Sequence, residues 1–217
     1  MEVYVISLKN LEQEELQNLL FHQLSMDEQV YLEKWKSPKK RLTILGGRLL
    51  LRHVARLHGL TSYHLEYGEN GKPFFSNSSD HFFNISHSGE YLSLAWSSKD
   101  IGIDLEQIRK EMPKFPERML SATDFSYFQK QREDQKKACF FTLWTRKESF
   151  IKLYGNNIFQ KAREISVTDG TNLLSVVNDP FAYFHTCQWK DYIISVCTLE
   201  KWAHLSVQYV TLQEIIP

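Results

Sequence analysis

Two acids stand one residue apart in an apolar stretch, Ile101-Gly102-Ile103-Asp104-Leu105-Glu106, close enough to act as a pair. On a strand, side chains alternate. Ile101, Ile103 and Leu105 then point into a core, and Asp104 and Glu106 point together the other way. Carboxylates so placed repel each other unless a cation sits between them. A half-exposed edge strand with two solvated acids would show the same pattern. A second group lies in Trp144-Thr145-Arg146-Lys147-Glu148-Ser149-Phe150-Ile151-Lys152. On a helix, Trp144, Glu148 and Lys152 share one face, with Lys147 about one hundred degrees around from Glu148. A surface helix with an i,i+4 ion pair between Glu148 and Lys152 fits equally well.

A third group is Phe82-Phe83-Asn84-Ile85-Ser86-His87-Ser88-Gly89. Here a strand runs into a turn whose hydroxyls and amides could hold a phosphate, with His87 as a further donor. A solvated turn is the alternative. Adjacent Ser and His are not a hydrolase triad, and no Gly-x-Ser-x-Gly elbow is present. Glu69-Asn70-Gly71-Lys72-Pro73 places Lys72 at a turn ahead of an extended segment, as a generic hairpin tip also would. Lys34, Lys36, Lys39, Lys40, Arg41, Arg48, Arg52 and Arg56 make the first half's helices basic, as a phosphate-facing strip or a solvated face.

Periodicity gives the helices and strands that carry these groups. Val3 to Leu8 reads as a strand, and Leu11, Leu16, Leu19, Leu20 and Leu24 recur at helical spacing. Ser25 with Glu28 is a capping-box signature, so a helix starts near Met26 and ends at Pro38. A long helix covers about Lys39 to His58, with Gly46-Gly47 inside it for close packing or ligand approach. Strands are expected at Tyr63 to Tyr67, Phe82 to Ile85, Tyr91 to Trp96 and Ile101 to Glu106, with turns at Asn70-Gly71 and Ser88-Gly89. Helices return at about Ala122 to Gln131 and Glu133 to Tyr154, and the chain from Glu164 onward reads as strand. Glu90-Tyr91-Leu92-Ser93-Leu94-Ala95-Trp96 is echoed by Asp191-Tyr192-Ile193-Ile194-Ser195-Val196-Cys197, a hint of two similar halves meeting near residue 100.

With 217 residues, 42% hydrophobic and 24% charged, the chain can bury a substantial core, which excludes disordered and fibrous classes. Zero net charge makes it a poor nucleic-acid or anionic-membrane binder, so any phosphate must be held by a local cluster of cations. Cys139, Cys187 and Cys197 lack zinc-like spacing and are odd in number, which reads as three buried free thiols in a reducing compartment. The N-terminus carries no signal-type segment and no apolar run reaches spanning length, so the expected location is cytoplasmic.

Taken together, Gly71-Lys72-Pro73, Phe83-Asn84-Ile85-Ser86-His87-Ser88-Gly89, Ile101-Gly102-Ile103-Asp104-Leu105-Glu106 and Trp144 to Lys152 resemble the 4′-phosphopantetheinyl transferases. The resemblance is to their larger monomeric type, which activates surfactin synthetase. Gly47-Arg48-Leu49-Leu50-Leu51-Arg52 looks like that family's N-terminal helix motif. The resemblance implies an α+β pseudo-dimer, residues 1–100 and 101–217, each half a small mostly antiparallel sheet with packed helices and the active site between. It implies transfer of the 4′-phosphopantetheine arm of coenzyme A to a serine of an apo acyl or peptidyl carrier protein, releasing 3′,5′-ADP. Magnesium, or manganese in its place, would be held by Asp104, Glu106 and Glu148, consistent with its preference for hard oxygen donors. Lys72, Pro73, Ser86, His87, Lys147, Lys152, Arg48 and Arg41 would contact coenzyme A. Glu148, Lys152 and His87 would act in catalysis, with Glu148 or a metal-bound water as base.

The chain departs from the pattern at Glu28 and Tyr31, where relatives often carry Lys, at Thr43, where an Arg is usual, and at Asp124, where a Glu is usual. The carrier would dock beside a helix running from about Met112 to Gln131, with Phe115, Met119, Phe125 and Phe128 available. A monomer is expected, with no nucleic-acid or membrane partner. Two other readings share these residues: a magnesium-dependent hydrolase of nucleotide pyrophosphates, and a non-catalytic coenzyme A or carrier-binding protein.

Overall fold

The computed structural model describes residues 1–69, 71–109, 111–155, 162–174, 182–202 and 205–216. The described strands are β1 (Glu2–Ser7), β2 (Leu65–Tyr67), β3 (Pro73–Phe75), β4 (Phe82–Ser88), β5 (Tyr91–Ser97), β6 (Ile101–Gln107), β7 (Tyr183–Trp189), β8 (Tyr192–Thr198) and β9 (Ser206–Tyr209). The helices are α1 (Glu14–Phe21), α2 (Met26–Glu33), α3 (Pro38–Leu57), α4 (Ala122–Gln129), α5 (Lys136–Tyr154) and α6 (Leu212–Ile215).

The fold is α+β, and one motif occurs twice. A strand leads to a long helix and then to a hairpin whose second strand pairs antiparallel with the first. In the first half these parts are β1, α3, β4 and β5, in sheet order β4-β5-β1-β9. In the second they are β6, α5, β7 and β8, in order β6-β8-β7. The echoed segments are therefore the central strands β5 and β8. Both hairpins turn through a left-handed first loop residue, Gly89 (φ 56°) and Lys190 (φ 53°).

Each half has its own core. Leu45, Leu49, Leu50 and Val54 of α3 pack with Tyr4 and Ile6 of β1 and Leu92 and Leu94 of β5. Phe140, Leu143, Trp144 and Ile151 of α5 pack with Phe184, Ile193 and Cys197. A third cluster lies between the sheets, with Val3, Val5 and Ala95 facing Ile101, Ile103, Leu105, Ile194 and Val196. The last segment crosses back. β9 runs parallel to β1, and Val210 and Ile215 complete the first core. A division into 1–100 and 101–217 therefore cuts across the first half's own sheet.

The structure corrects the sequence-based expectations at several points. Pro38 opens α3 rather than ending α2, because a first-turn proline sacrifices no helical hydrogen bond; Ser37 caps that turn by accepting from the Lys40 amide at 3.4 Å. The expected Met112–Gln131 helix is only α4, preceded by a 3-10 turn at Pro116–Arg118, since Pro113 and Pro116 withhold amides. Of the two expected uses of Gly46 the structure shows close packing, since a Cβ there would come 2.8 Å from Leu8 Cδ2. Cys139 and Cys187 are half-buried, and only Cys197 is buried. The expected strand from Glu164 becomes β7, β8 and β9, and 175–181 and 203–204 lie outside the described residues, as does Asn70 of the first turn.

Candidate functional site

The two halves meet edge to edge. β4 ends the first sheet and β6 ends the second. Unpaired edge strands need partners for their amides, and here side chains supply them. Asn84 Oδ1 accepts from the Ile103 amide (2.9 Å), Ser86 Oγ from Leu105 (3.2 Å) and Ser88 Oγ from Gln107 (3.1 Å). The serine hydroxyls then donate onward, Ser86 to Asp104 Oδ1 and Ser88 to Glu106 Oε2, both at 2.8 Å. The seam thus fixes the two acids of β6 from the first half.

On the other side, α5 lies directly on β6. The contact point is Gly102, on the same strand face as Asp104 and Glu106. A Cβ there would overlap Ser149 O and come 2.5 Å from Leu153 N, so only glycine permits this approach. That approach brings Glu148 and Lys152 over the two acids. Lys152 Nζ is 2.6 Å from Asp104 Oδ1 and 2.9 Å from Ser86 Oγ. Asp104 is buried, and its Oδ2 has no hydrogen-bond partner among the described residues.

The electrostatics show three crowded acids. Burial first, then Asp104 and Glu106, push Glu148 up to about 7, against the pull of Lys152. Burial and Asp104 raise Glu106 as well, offset by Ser88, Arg109 and Lys152. Two acids raised beside a third mark a site with surplus negative charge. Among the described residues, no three His, Cys, Asp or Glu side chains are already gathered to ligate an ion. The donor set nevertheless suits a hard cation, with oxygen-only ligands and one buried carboxylate oxygen left without a partner.

The remaining expected site residues divide. His87 points outward from β4; partial burial lowers its pKa, as do Lys40, Lys152 and Lys39, while Asp104 pulls the other way. Lys72 is near the seam, but its ammonium is spent on the carbonyls of Ile101 and Leu153 (3.1 Å each), with Asp100 3.7 Å away. Burial lowers its pKa against the pull of Asp100. Pro73 opens β3 opposite Tyr67.

Lys147, expected at coenzyme A, lies away from the surface of the site in this structure. It is fully buried and pairs with Asp124 Oδ2 at 2.6 Å, while donating to the carbonyls of Ala162 and Ile165. Its position around the helix from Glu148 sends it into the second core. Asp124, where the family pattern departs, is its counter-ion. Arg48 is also buried, with its guanidinium near the stacked rings of Tyr31 and Tyr67, bonded to the Tyr67 hydroxyl and 3.8 Å from Glu28. It lines a groove of about 680 Å³ with Arg52 and Arg56. Arg41 is exposed and borders a different groove with Glu14 and Glu33. Among the docking candidates, Phe115 is exposed under Arg118, whereas Phe128 is core and Met119 and Phe125 are half-buried against it.

The sequence gives no site role to Asn84 and reads Ser88 only as a possible phosphate contact in a turn, although their period-two spacing with Ser86 is visible. Gly102 was visible only as a strand residue. Its role needed knowledge of which helix lies on which strand.

Comparison with known proteins matches both halves to one family. Residues 12–99 match the model described as 4′-phosphopantetheinyl transferase, N-terminal, and residues 100–197 match the 4′-phosphopantetheinyl transferase superfamily. The chain is 37% identical over 118 residues to a 4′-phosphopantetheinyl transferase of Bacillus subtilis, an alignment covering 54% of this chain and 53% of that protein. It is 31% identical over 150 residues to 4′-phosphopantetheinyl transferase Sfp of Bacillus subtilis (strain 168), covering 62% and 67%. To 4′-phosphopantetheinyl transferase gsp of Aneurinibacillus migulanus it is 27% identical over 207 residues, covering 91% and 86%. The alignments thus span from about half to most of these relatives' lengths. With both halves matched in order and the repeated α+β motif in place, the chain belongs to the 4′-phosphopantetheinyl transferase superfamily, among its Sfp-like members.

Proposed function

We propose that this protein transfers the 4′-phosphopantetheine arm of coenzyme A to a serine of an apo acyl or peptidyl carrier protein. The observation that carries this reading is the meeting of Asp104, Glu106, Glu148 and Lys152 at the seam of the two family-matched halves. The serine oxygen attacks the β-phosphorus of the donor, the bond to the 3′,5′-ADP oxygen breaks, and the serine proton passes to a base. Glu148 would be the side chain that takes that proton.

Asp104, Glu106 and Glu148 would hold magnesium, which when bound neutralises diphosphate charge. Lys152 and His87 stand where they can meet phosphate oxygens and the charge that develops on them. Lys72 positions the seam rather than the substrate, through its two backbone acceptors. Phe115 with Arg118 is the exposed apolar and basic pair offered to a carrier. The protein acts as a monomer, because both halves of the site lie in one chain. Among the described residues, no helix is long and apolar enough to cross a membrane.

The test is the intact mass of apo acyl and peptidyl carriers after incubation with the protein, coenzyme A and Mg²⁺. Expected is a gain of one phosphopantetheine, absent with EDTA and with Asp104→Ala. Cleavage of coenzyme A without a carrier, and with no gain on any carrier, would replace this reading with a hydrolase.

A further inference from the structure

We propose that Lys152 is the resident counter-ion of the carboxylate cluster and must leave Asp104 for a divalent cation to bind, so that cation and diphosphate binding are coupled through this one side chain. The inference rests on the proposed function only in taking the cleft to receive a cation and a diphosphate. Its physical basis is the occupancy of one oxygen. Asp104 Oδ1 is held at once by the Lys152 ammonium (2.6 Å) and the Ser86 hydroxyl (2.8 Å). Ser86 Oγ in turn accepts from Lys152 (2.9 Å) and from the Leu105 amide (3.2 Å). These contacts close a ring around Oδ1, while Oδ2 of the same buried carboxylate has no hydrogen-bond partner among the described residues.

A hard divalent ion needs the carboxylate charge that the ammonium is already neutralising. With the ammonium on Oδ1, a divalent cation entering at the open Oδ2 would share the same carboxylate, and the two cations would repel each other there. The lysine is free to yield. Its stem is flexible and its donors rotate, and the side chain is 21% exposed, whereas Asp104 is 4% exposed and fixed by the seam. A diphosphate arriving in the cleft gives the displaced ammonium new oxygen acceptors. Each ligand then favours the other beyond any direct contact between them, and by linkage the effect is reciprocal. Ser86, on the rigid edge of β4, stays behind to orient Asp104 when Lys152 leaves.

The experiment measures Mn²⁺ binding to the whole chain by electron paramagnetic resonance of the free ion. No carrier is present, so nothing turns over. Without coenzyme A, Lys152→Met is expected to bind Mn²⁺ about tenfold tighter than the wild type, within the usual range of coupling between sites. Lys152→Arg, which keeps a cation at Asp104, should stay close to wild type. Coenzyme A should raise Mn²⁺ affinity more in the wild type than in Lys152→Met. Thermal unfolding checks that each variant is folded, and Lys152→Gln replaces the Met variant if that one is not. Equal or weaker Mn²⁺ binding by the charge-removed variant overturns the proposal while leaving the cation site intact. Absence of Mn²⁺ binding in every protein, with coenzyme A present, overturns it together with the divalent-cation part of the proposed function.

Discussion

Replacing Lys147 with methionine separates a role in stability from a role in substrate binding. In the structure, Asp124 Oδ1 accepts from the amides of Val167 and Thr168 (3.0 Å each) and the Thr168 hydroxyl (2.9 Å). Among the described residues Oδ2 has no well-angled hydrogen bond, and it is balanced by the Lys147 charge 2.6 Å away. Methionine fills the stem's volume but leaves that carboxylate buried without its counter-ion, and leaves the Ala162 and Ile165 carbonyls without their donor. Breaking a buried pair from one side costs about 3–5 kcal/mol. For a chain of 217 residues each kcal/mol moves Tm by about 2–4 °C, so a fall of about 6–20 °C is expected. The assay is thermal unfolding of Lys147→Met, Asp124→Asn and the double variant, with the KM for coenzyme A measured below the transition. The double variant should lose about 2 kcal/mol less than the sum of the single losses, with KM near wild type throughout. A Lys147→Met protein within about 1 kcal/mol of wild-type stability but with a much higher KM would refute the reasoning and place the ammonium at the substrate.

Three more outcomes are expected. Gly102→Ala should displace α5 from β6, lowering stability by about 1–3 kcal/mol and kcat/KM by about 10²-fold; unchanged turnover would mean that the helix position is not critical. Glu148 and Glu106 are acids with raised folded-state pKa values, so their ionisation opposes folding once pH exceeds the unfolded value. Metal-free protein should therefore lose stability from near pH 4.5 through about 7, by about 3 kcal/mol for Glu148 alone, and Glu148→Gln should flatten that slope in Tm measured across pH; parallel slopes for the two proteins would contradict it. Ser88→Ala strips the Gln107 amide and Glu106 of a partner, and urea unfolding should show a loss of about 1–3 kcal/mol.

Local chemistry was legible in the sequence where periodicity is strict. The alternation at Ile101 to Glu106 gave both the buried face and the acid face, and the 3.6-residue repeat put Glu148 and Lys152 on one side of a helix. Proline positions misled. Pro38 suits the start of a helix as well as its end, and only the Ser37 cap decides between them. Lys147 shows the deeper limit. A basic residue beside a catalytic-looking acid reads as another phosphate ligand. Its burial depends on the partner Asp124, twenty-three positions earlier, and on the backbone carbonyls it meets. The seam was hidden for a similar reason. Asn84, Ser86 and Ser88 look like turn-side polar residues until β4 is placed against the free edge of β6.

The returning strand β9 makes the two halves inseparable in a way that their resemblance to each other conceals. β1 is flanked by β5 on one side and β9 on the other, and the first core is completed by Val210 and Ile215 from the far end of the chain. A polypeptide cut between the halves would yield an N-terminal piece with an open sheet edge and a C-terminal piece carrying a tail evolved to cover it. The two fragments should therefore recognise each other through strand exchange as well as through the seam, and the halves should fold as one cooperative unit rather than as two beads on a string.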